Sequence, residues 1–134
     1  MKSLVASALK VFKKKTLLIV EDDHTLRKVL FDRMSAEGWR VLESPDGRDG
    51  LVSAIKNHPD AILLDLMLPQ MDGITLLQEL RKDEWGKDAR VIVMSNLVKG
   101  VGLTEKVRMF HVEDHIEKAD MSLDALAEKI RKLL

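Results

Sequence analysis

The chain of 134 residues has no cysteine, which excludes disulfides and thiolate metal sites and permits a reducing compartment. It has no net charge either, because 22 acidic residues balance 22 basic ones. That balance argues against nucleic-acid or membrane-surface binding driven by bulk electrostatics. No apolar run approaches the roughly 18 residues of a membrane span. The start, MKSLVASALKVFKKK, places its apolar patch before its basic cluster, the reverse of a secretory signal. A cytoplasmic location is therefore expected. Internal repeats and low-complexity segments are also missing. What remains is 46% apolar residues in a length suited to one domain with a real core.

Residues 1–15 lie outside the main pattern. Leu4, Ala8, Val11 and Phe12 have helical spacing, and Lys13, Lys14 and Lys15 form a solvated joint, so a short helix in an N-terminal extension is expected. From Thr16 onward, apolar β-branched runs alternate five times with amphipathic segments. Strands are predicted at Thr16–Val20, Trp39–Glu43, Ala61–Leu64, Arg90–Met94 and Asp114–Glu117. Helices are predicted at about His24–Glu37, Gly47–Asn57 and Gly73–Lys82, somewhere within Leu97–Phe110, and at Leu123–Leu134 behind a Ser122 cap. The inward faces are assigned to Leu26, Val29, Leu30 and Met34 in the first helix and to Leu51, Ala54 and Ile55 in the second. Ile74, Leu77 and Leu80 are assigned inward in the third, and Leu123, Leu126, Ile130 and Leu133 in the last. Five such units predict an α/β fold: a five-stranded parallel sheet, doubly wound as (βα)5, over residues 16–134.

The polar residues at the strand ends carry the chemistry. The first strand runs into Glu21 and Asp22, the third into Asp65, the fourth into Ser95 and the fifth into Lys118. In a parallel sheet these ends share one edge, where open α/β sheets hold their ligands. Three clustered carboxylates repel one another unless a cation neutralises them. An oxygen-only donor set suits a hard ion such as Mg²⁺. A nucleophilic carboxylate, a metal site, a lysine and a hydroxyl are the parts that phosphoryl transfer needs.

With these residues placed, the chain resembles the receiver domain of two-component response regulators from about Lys15 to Leu134. The resemblance rests on Glu21-Asp22 after LLIV, Asp65 in LLDLMLPQMDG, Ser95 after VIVM and Lys118 in HIEK. The intervals of 43, 30 and 23 residues between Asp22, Asp65, Ser95 and Lys118 also suit the family. It implies a flavodoxin-like topology and a signalling switch rather than an enzyme, one that supports its own phosphorylation and autodephosphorylation. Asp65 would accept phosphate from a phosphohistidine on a sensor histidine kinase or a histidine phosphotransfer protein. Mg²⁺ would be held by Glu21, Asp22, Asp65 and the Met67 backbone carbonyl, with Glu21 acting largely through water. Lys118 would pair with the carboxylate and then the phosphoryl group. Ser95 and His115 would form the switch, and Pro69 and Gly73 would shape the loop after Asp65. Because no DNA-binding segment is seen after the last helix, the expected output is an output protein or a homodimer, contacted through the helix 4–strand 5–helix 5 face.

Three positions depart from the family's pattern. Ala119 follows Lys118 where proline is usual, which predicts a trans peptide and a differently aimed Lys118. His115 stands where Tyr or Phe is preferred, and Asn96 follows Ser95 where a small residue is favoured. These departures motivate an alternative, a phosphorylation-independent scaffold on the same fold. A Mg²⁺-dependent phosphohydrolase is a third class, but no segment suggests its substrate cap. His24, His58 and His111 are read as structural or solvent-exposed, Asp23 as solvated, and Arg81 as part of an exposed helix face. Trp85 is expected either to anchor its loop or to face a partner.

Overall fold

The computed structural model describes residues 14–96 and 103–133. Expectations about the extension up to residue 13, and about the start of the fourth helix before residue 103, lie outside the described residues. Strands β1 (Thr16–Val20), β2 (Arg40–Ser44), β3 (Ala61–Asp65), β4 (Val91–Ser95) and β5 (Asp114–Glu117) alternate with helices. The helices are α1 (His24–Ala36), α2 (Gly47–Asn57), α3 (Gly73–Lys82), α4 (Leu103–Met109) and α5 (Leu123–Lys132). The sheet order is β2-β1-β3-β4-β5 and every pairing is parallel. The expected doubly wound α/β architecture is therefore present, with strand boundaries one residue later than predicted in β2 and β4.

Strand alternation divides the core into two layers. Leu18, Val20, Ile62, Leu64, Val91 and Val93 face Ala54 of α2, Leu77 and Leu80 of α3 and Val107 of α4. Leu17, Ile19, Ala61, Leu63, Ile92 and Met94 face Leu30 and Met34 of α1 and Leu126 and Ile130 of α5. Strands β3 and β4 are buried along their whole length, so their continuous apolar runs suit both faces at once. Asp23, Asp46, Asp72 and Ser122 start α1, α2, α3 and α5 by accepting a backbone N–H three residues on.

Two inward assignments fail. Val29 and Ile55 are exposed, whereas Leu76, unassigned from sequence, is buried. Helices α1 and α2 each press a narrow stripe on the sheet, and Val29 and Ile55 fall just past the edge of their stripes.

The loop after β3 is braced against α2. A Cβ on Gly47 would stand 1.7 Å from the Met71 carbonyl oxygen, so only glycine admits this approach. Gly73 similarly lies under Asp65, where a Cβ would sit 2.6 Å from its carbonyl oxygen. Gly47 N donates to Pro69 O at 3.2 Å and Gly73 N to Leu66 O at 2.9 Å, which closes the loop. Pro69 and Gly73 thus shape the segment that follows Asp65.

Candidate functional site

The carboxyl ends of β1, β3, β4 and β5 bring together Glu21, Asp22, Asp65, Ser95 and Lys118. Strands β1, β3 and β4 deliver their polar residues where a buried apolar run stops, whereas the half-buried β5 (DHIE) leads directly into Lys118. Alternation then sorts them. Glu21 and Asp65 continue the runs Leu17, Ile19 and Ala61, Leu63, on the α1/α5 side of the sheet. Lys118 follows Ile116, which packs on that same side. Ser95 continues Val91 and Val93, on the other side, and His115 is in register with Val93. The edge therefore has an acid–lysine half and a serine–histidine half.

In the first half, Lys118 Nζ lies 2.9 Å from Asp65 Oδ2 and 2.5 Å from Glu21 Oε1. Glu21 is fully buried and Asp65 is 2% exposed, while Asp22 is open to solvent. Asp65 Oδ1 accepts the Met67 N–H at 3.1 Å, so both oxygens of this carboxylate are oriented. Glu21 Oε2 accepts the Asp23 N–H at 3.0 Å, and Arg27 Nη1 donates to the Glu21 carbonyl at 2.8 Å. Glu21 Oε1 is close to the ammonium but lacks an aligned hydrogen bond, leaving buried lone pairs unsatisfied. One oxygen each from Glu21, Asp22 and Asp65 lie within 4.8 Å of one another. That spacing, an all-oxygen donor set and an unsatisfied carboxylate oxygen fit a hard divalent cation.

Burial raises the Glu21 carboxyl from 4.5 to about 7, although the adjacent Lys118 ammonium and the Asp23 N–H oppose the rise. Burial alone would lower the Lys118 ammonium, but the adjoining carboxylates of Glu21 and Asp65 outweigh it and hold it above its ordinary value. The lysine is thus a fixed positive charge.

The described residues contain no cis peptide, so Lys118–Ala119 is trans as Ala119 predicts. The expectation that Lys118 would consequently aim elsewhere is wrong. A 3₁₀ turn at Lys118–Asp120 follows β5 directly and leaves the lysine stem pointing across the edge to Asp65.

In the second half, Ser95 Oγ is hydrogen-bonded to His115 Nε2 at 2.8 Å. Ser95 is fully buried and His115 half-buried. The His115 ring is therefore turned inward. Asn96 is exposed beside Ser95.

Some supporting residues escaped sequence reasoning. Arg81 is not on an exposed face: it is half-buried and donates to the carbonyls of Phe110, Gly86, Ala89 and His111 at 2.7, 2.8, 2.8 and 3.3 Å. It ties the C-terminal end of α3 to the α4–β5 turn, and nothing in an Arg-Lys pair at a helix end signals that. Asp23 caps α1 rather than standing free, which its place before an apolar helical pattern does signal. Trp85 anchors its loop by stacking on His58, with centroids 4.5 Å apart and planes 7° from parallel.

A CheY-like response regulator receiver domain protein from Methanospirillum hungatei superimposes with a TM-score of 0.82 at 24% identity, covering 90% of this chain and 94% of that one. A putative response regulator from Chloroflexus aurantiacus gives 0.81 at 26% identity, over 90% and 98%. The fold is the CheY-like receiver fold. The chain belongs to the response regulator receiver domain family, whose model matches residues 17–131. Among curated relatives, the DNA-binding dual master transcriptional regulator RpaA of Synechocystis is 31% identical over 88% of this chain and 48% of its own length. The probable transcriptional regulatory protein TcrX of Mycobacterium tuberculosis is 28% identical over 89% and 49%. The chain spans about half the length of these two relatives.

Proposed function

We propose that this chain is a phosphoacceptor switch in which Asp65 receives a phosphoryl group from a phosphohistidine donor. The observation that carries the proposal is the convergence of a 2%-exposed Asp65, two further acids and Lys118 at one sheet edge. The donor is a sensor histidine kinase or a histidine phosphotransfer protein. An Asp65 oxygen attacks phosphorus as the phosphorus–nitrogen bond breaks, and the electron pair leaves on the imidazole. Lys118 then turns from the carboxylate to the phosphoryl oxygens, where its charge offsets what the new group brings. The Ser95 hydroxyl donates to a phosphoryl oxygen, and its displacement carries the signal toward β5.

Glu21, Asp22, Asp65 and the Met67 carbonyl would hold Mg²⁺, which supplies positive charge for the acceptor and the phosphoryl oxygens. Water later hydrolyses the acyl phosphate and resets the switch in the cytoplasm. Output runs through the α4–β5–α5 face to an output protein or to a second copy.

Acetyl phosphate with Mg²⁺ tests this reading. Peptide mapping is expected to find a hydroxylamine-labile phosphoryl group on Asp65. An unmodified Asp65, with the protein folded, contradicts the proposal.

A further inference from the structure

We propose that His115 makes the switch proton-sensitive, by setting whether the Ser95 hydroxyl proton is available to a phosphoryl oxygen. The inference rests on the phosphoacceptor reading of Asp65 and concerns regulation of that site. Its basis is the 2.8 Å hydrogen bond between Ser95 Oγ and His115 Nε2. Ser95 is fully buried, so its hydroxyl needs a partner within the protein, and among the described residues His115 supplies one.

A hydroxyl has one proton to give, and neutral imidazole has one nitrogen that accepts and one that donates. When Nε2 is the accepting nitrogen, the Ser95 proton is spent on His115 and cannot reach a phosphoryl group. When the imidazole is protonated, both nitrogens carry hydrogen, so Nε2 donates to Ser95 Oγ in every case. The Ser95 proton is then free to point at the phosphoryl oxygen, and the donated bond polarises the hydroxyl toward it. Protonation can therefore only raise the fraction of Ser95 ready to donate. A Tyr or Phe at this position has no equivalent, because neither changes charge between about pH 5 and 8.

His115 is also placed to exchange a proton with solvent. It lines a groove of about 560 Å³ between α4 and β5, and a second of about 200 Å³ against α5. The charged groups around these two grooves come from each neighbouring element. Arg108 stands on α4, Glu113, Asp114 and Glu117 on β5 and its approach, Asp120 on the following turn and Lys129 on α5. Lys129 is paired with Asp114, whose other oxygen accepts the His115 backbone N–H.

The test is the affinity of Mg²⁺–beryllofluoride for wild type, His115→Gln, Ser95→Ala and the double variant, measured between about pH 5.5 and 8. Glutamine keeps a polar group of similar reach but does not titrate. The wild-type to His115→Gln affinity ratio is expected to rise roughly tenfold toward the acid end, the weight of one charge-assisted hydrogen bond. In the Ser95→Ala background that rise should vanish. Parallel pH profiles for wild type and His115→Gln overturn the inference, as does a rise that survives in Ser95→Ala, which would mean that the imidazolium acts directly. An adduct with parallel profiles defeats this inference alone. No adduct at any pH defeats the phosphoacceptor reading and this inference with it.

Discussion

Lys118 Nζ lies 2.9 Å from Asp65 Oδ2 although the peptide that follows the lysine is trans and leads to alanine. The reach comes from β5 and the 3₁₀ turn behind it, so proline is not needed to aim the ammonium. The scaffold alternative drew part of its support from Ala119, and that part falls away.

The ammonium also holds two buried acids together. Replacing it with Lys118→Met keeps the apolar stem and leaves Glu21 and Asp65 facing each other uncompensated. A loss of about 3–5 kcal/mol is expected from urea unfolding near neutral pH without Mg²⁺. The loss should shrink in acid, where the carboxyls take up protons. A change below about 1 kcal/mol would place the trio with weak surface pairs instead.

Stability without Mg²⁺ should carry the signature of Glu21. Burial raises this carboxyl from 4.5 to about 7 in the folded protein. The folded state therefore keeps a proton that the unfolded chain releases. The contribution is fully present below 4.5 and is lost as pH rises through about 7. Lys118 has the opposite charge but the same direction of shift: its contribution holds below 10.5 and is lost only above its raised folded value. Unfolding free energies of wild type and Glu21→Gln should accordingly diverge between 4.5 and about 7, with the variant lacking the downward slope. Parallel curves would contradict the burial assigned to Glu21.

Gly47 couples the acceptor loop to α2 through backbone contact. Gly47→Ala puts a methyl 1.7 Å from the Met71 carbonyl oxygen, and backbone must move to admit it. Destabilisation of at least about 1–3 kcal/mol is expected. Slower phosphorylation of Asp65 should accompany it, because the same loop carries the Met67 amide bonded to Asp65 Oδ1. Wild-type stability in Gly47→Ala would show that the loop is free of α2.

Asn96 is exposed directly after Ser95. If its side chain restricts the approach of water, Asn96→Ala shortens the lifetime of phosphorylated Asp65. The decay of phosphoprotein after removal of acetyl phosphate measures this directly, and an unchanged lifetime sinks the role given to Asn96.

Which features the sequence disclosed has a physical pattern. The strands β1, β3 and β4 are short apolar runs buried on both faces, and their length and β-branched residues mark them as strands. Asp65 and Glu21 were legible because a charge that ends a buried run lies at the sheet edge, and Lys118 because it follows the last strand at that same edge. Val29 and Ile55 misled because periodicity finds a helix face but does not give its width. Arg81 was invisible because its partners are four backbone carbonyls from segments distant in sequence, which leave no mark on residue type. The aim of Lys118 was misjudged because it depends on a turn geometry, while the residue after it was judged by type alone.

The account stands on Asp65 being the residue that accepts the phosphoryl group. Intact-mass and peptide analysis of wild type and Asp65→Asn, each incubated with acetyl phosphate and Mg²⁺, tests this most directly. A single phosphoryl adduct on the Asp65 peptide of wild type, and none on a folded Asp65→Asn protein, is the predicted result. An adduct of equal yield in Asp65→Asn, or none in wild type, would contradict it.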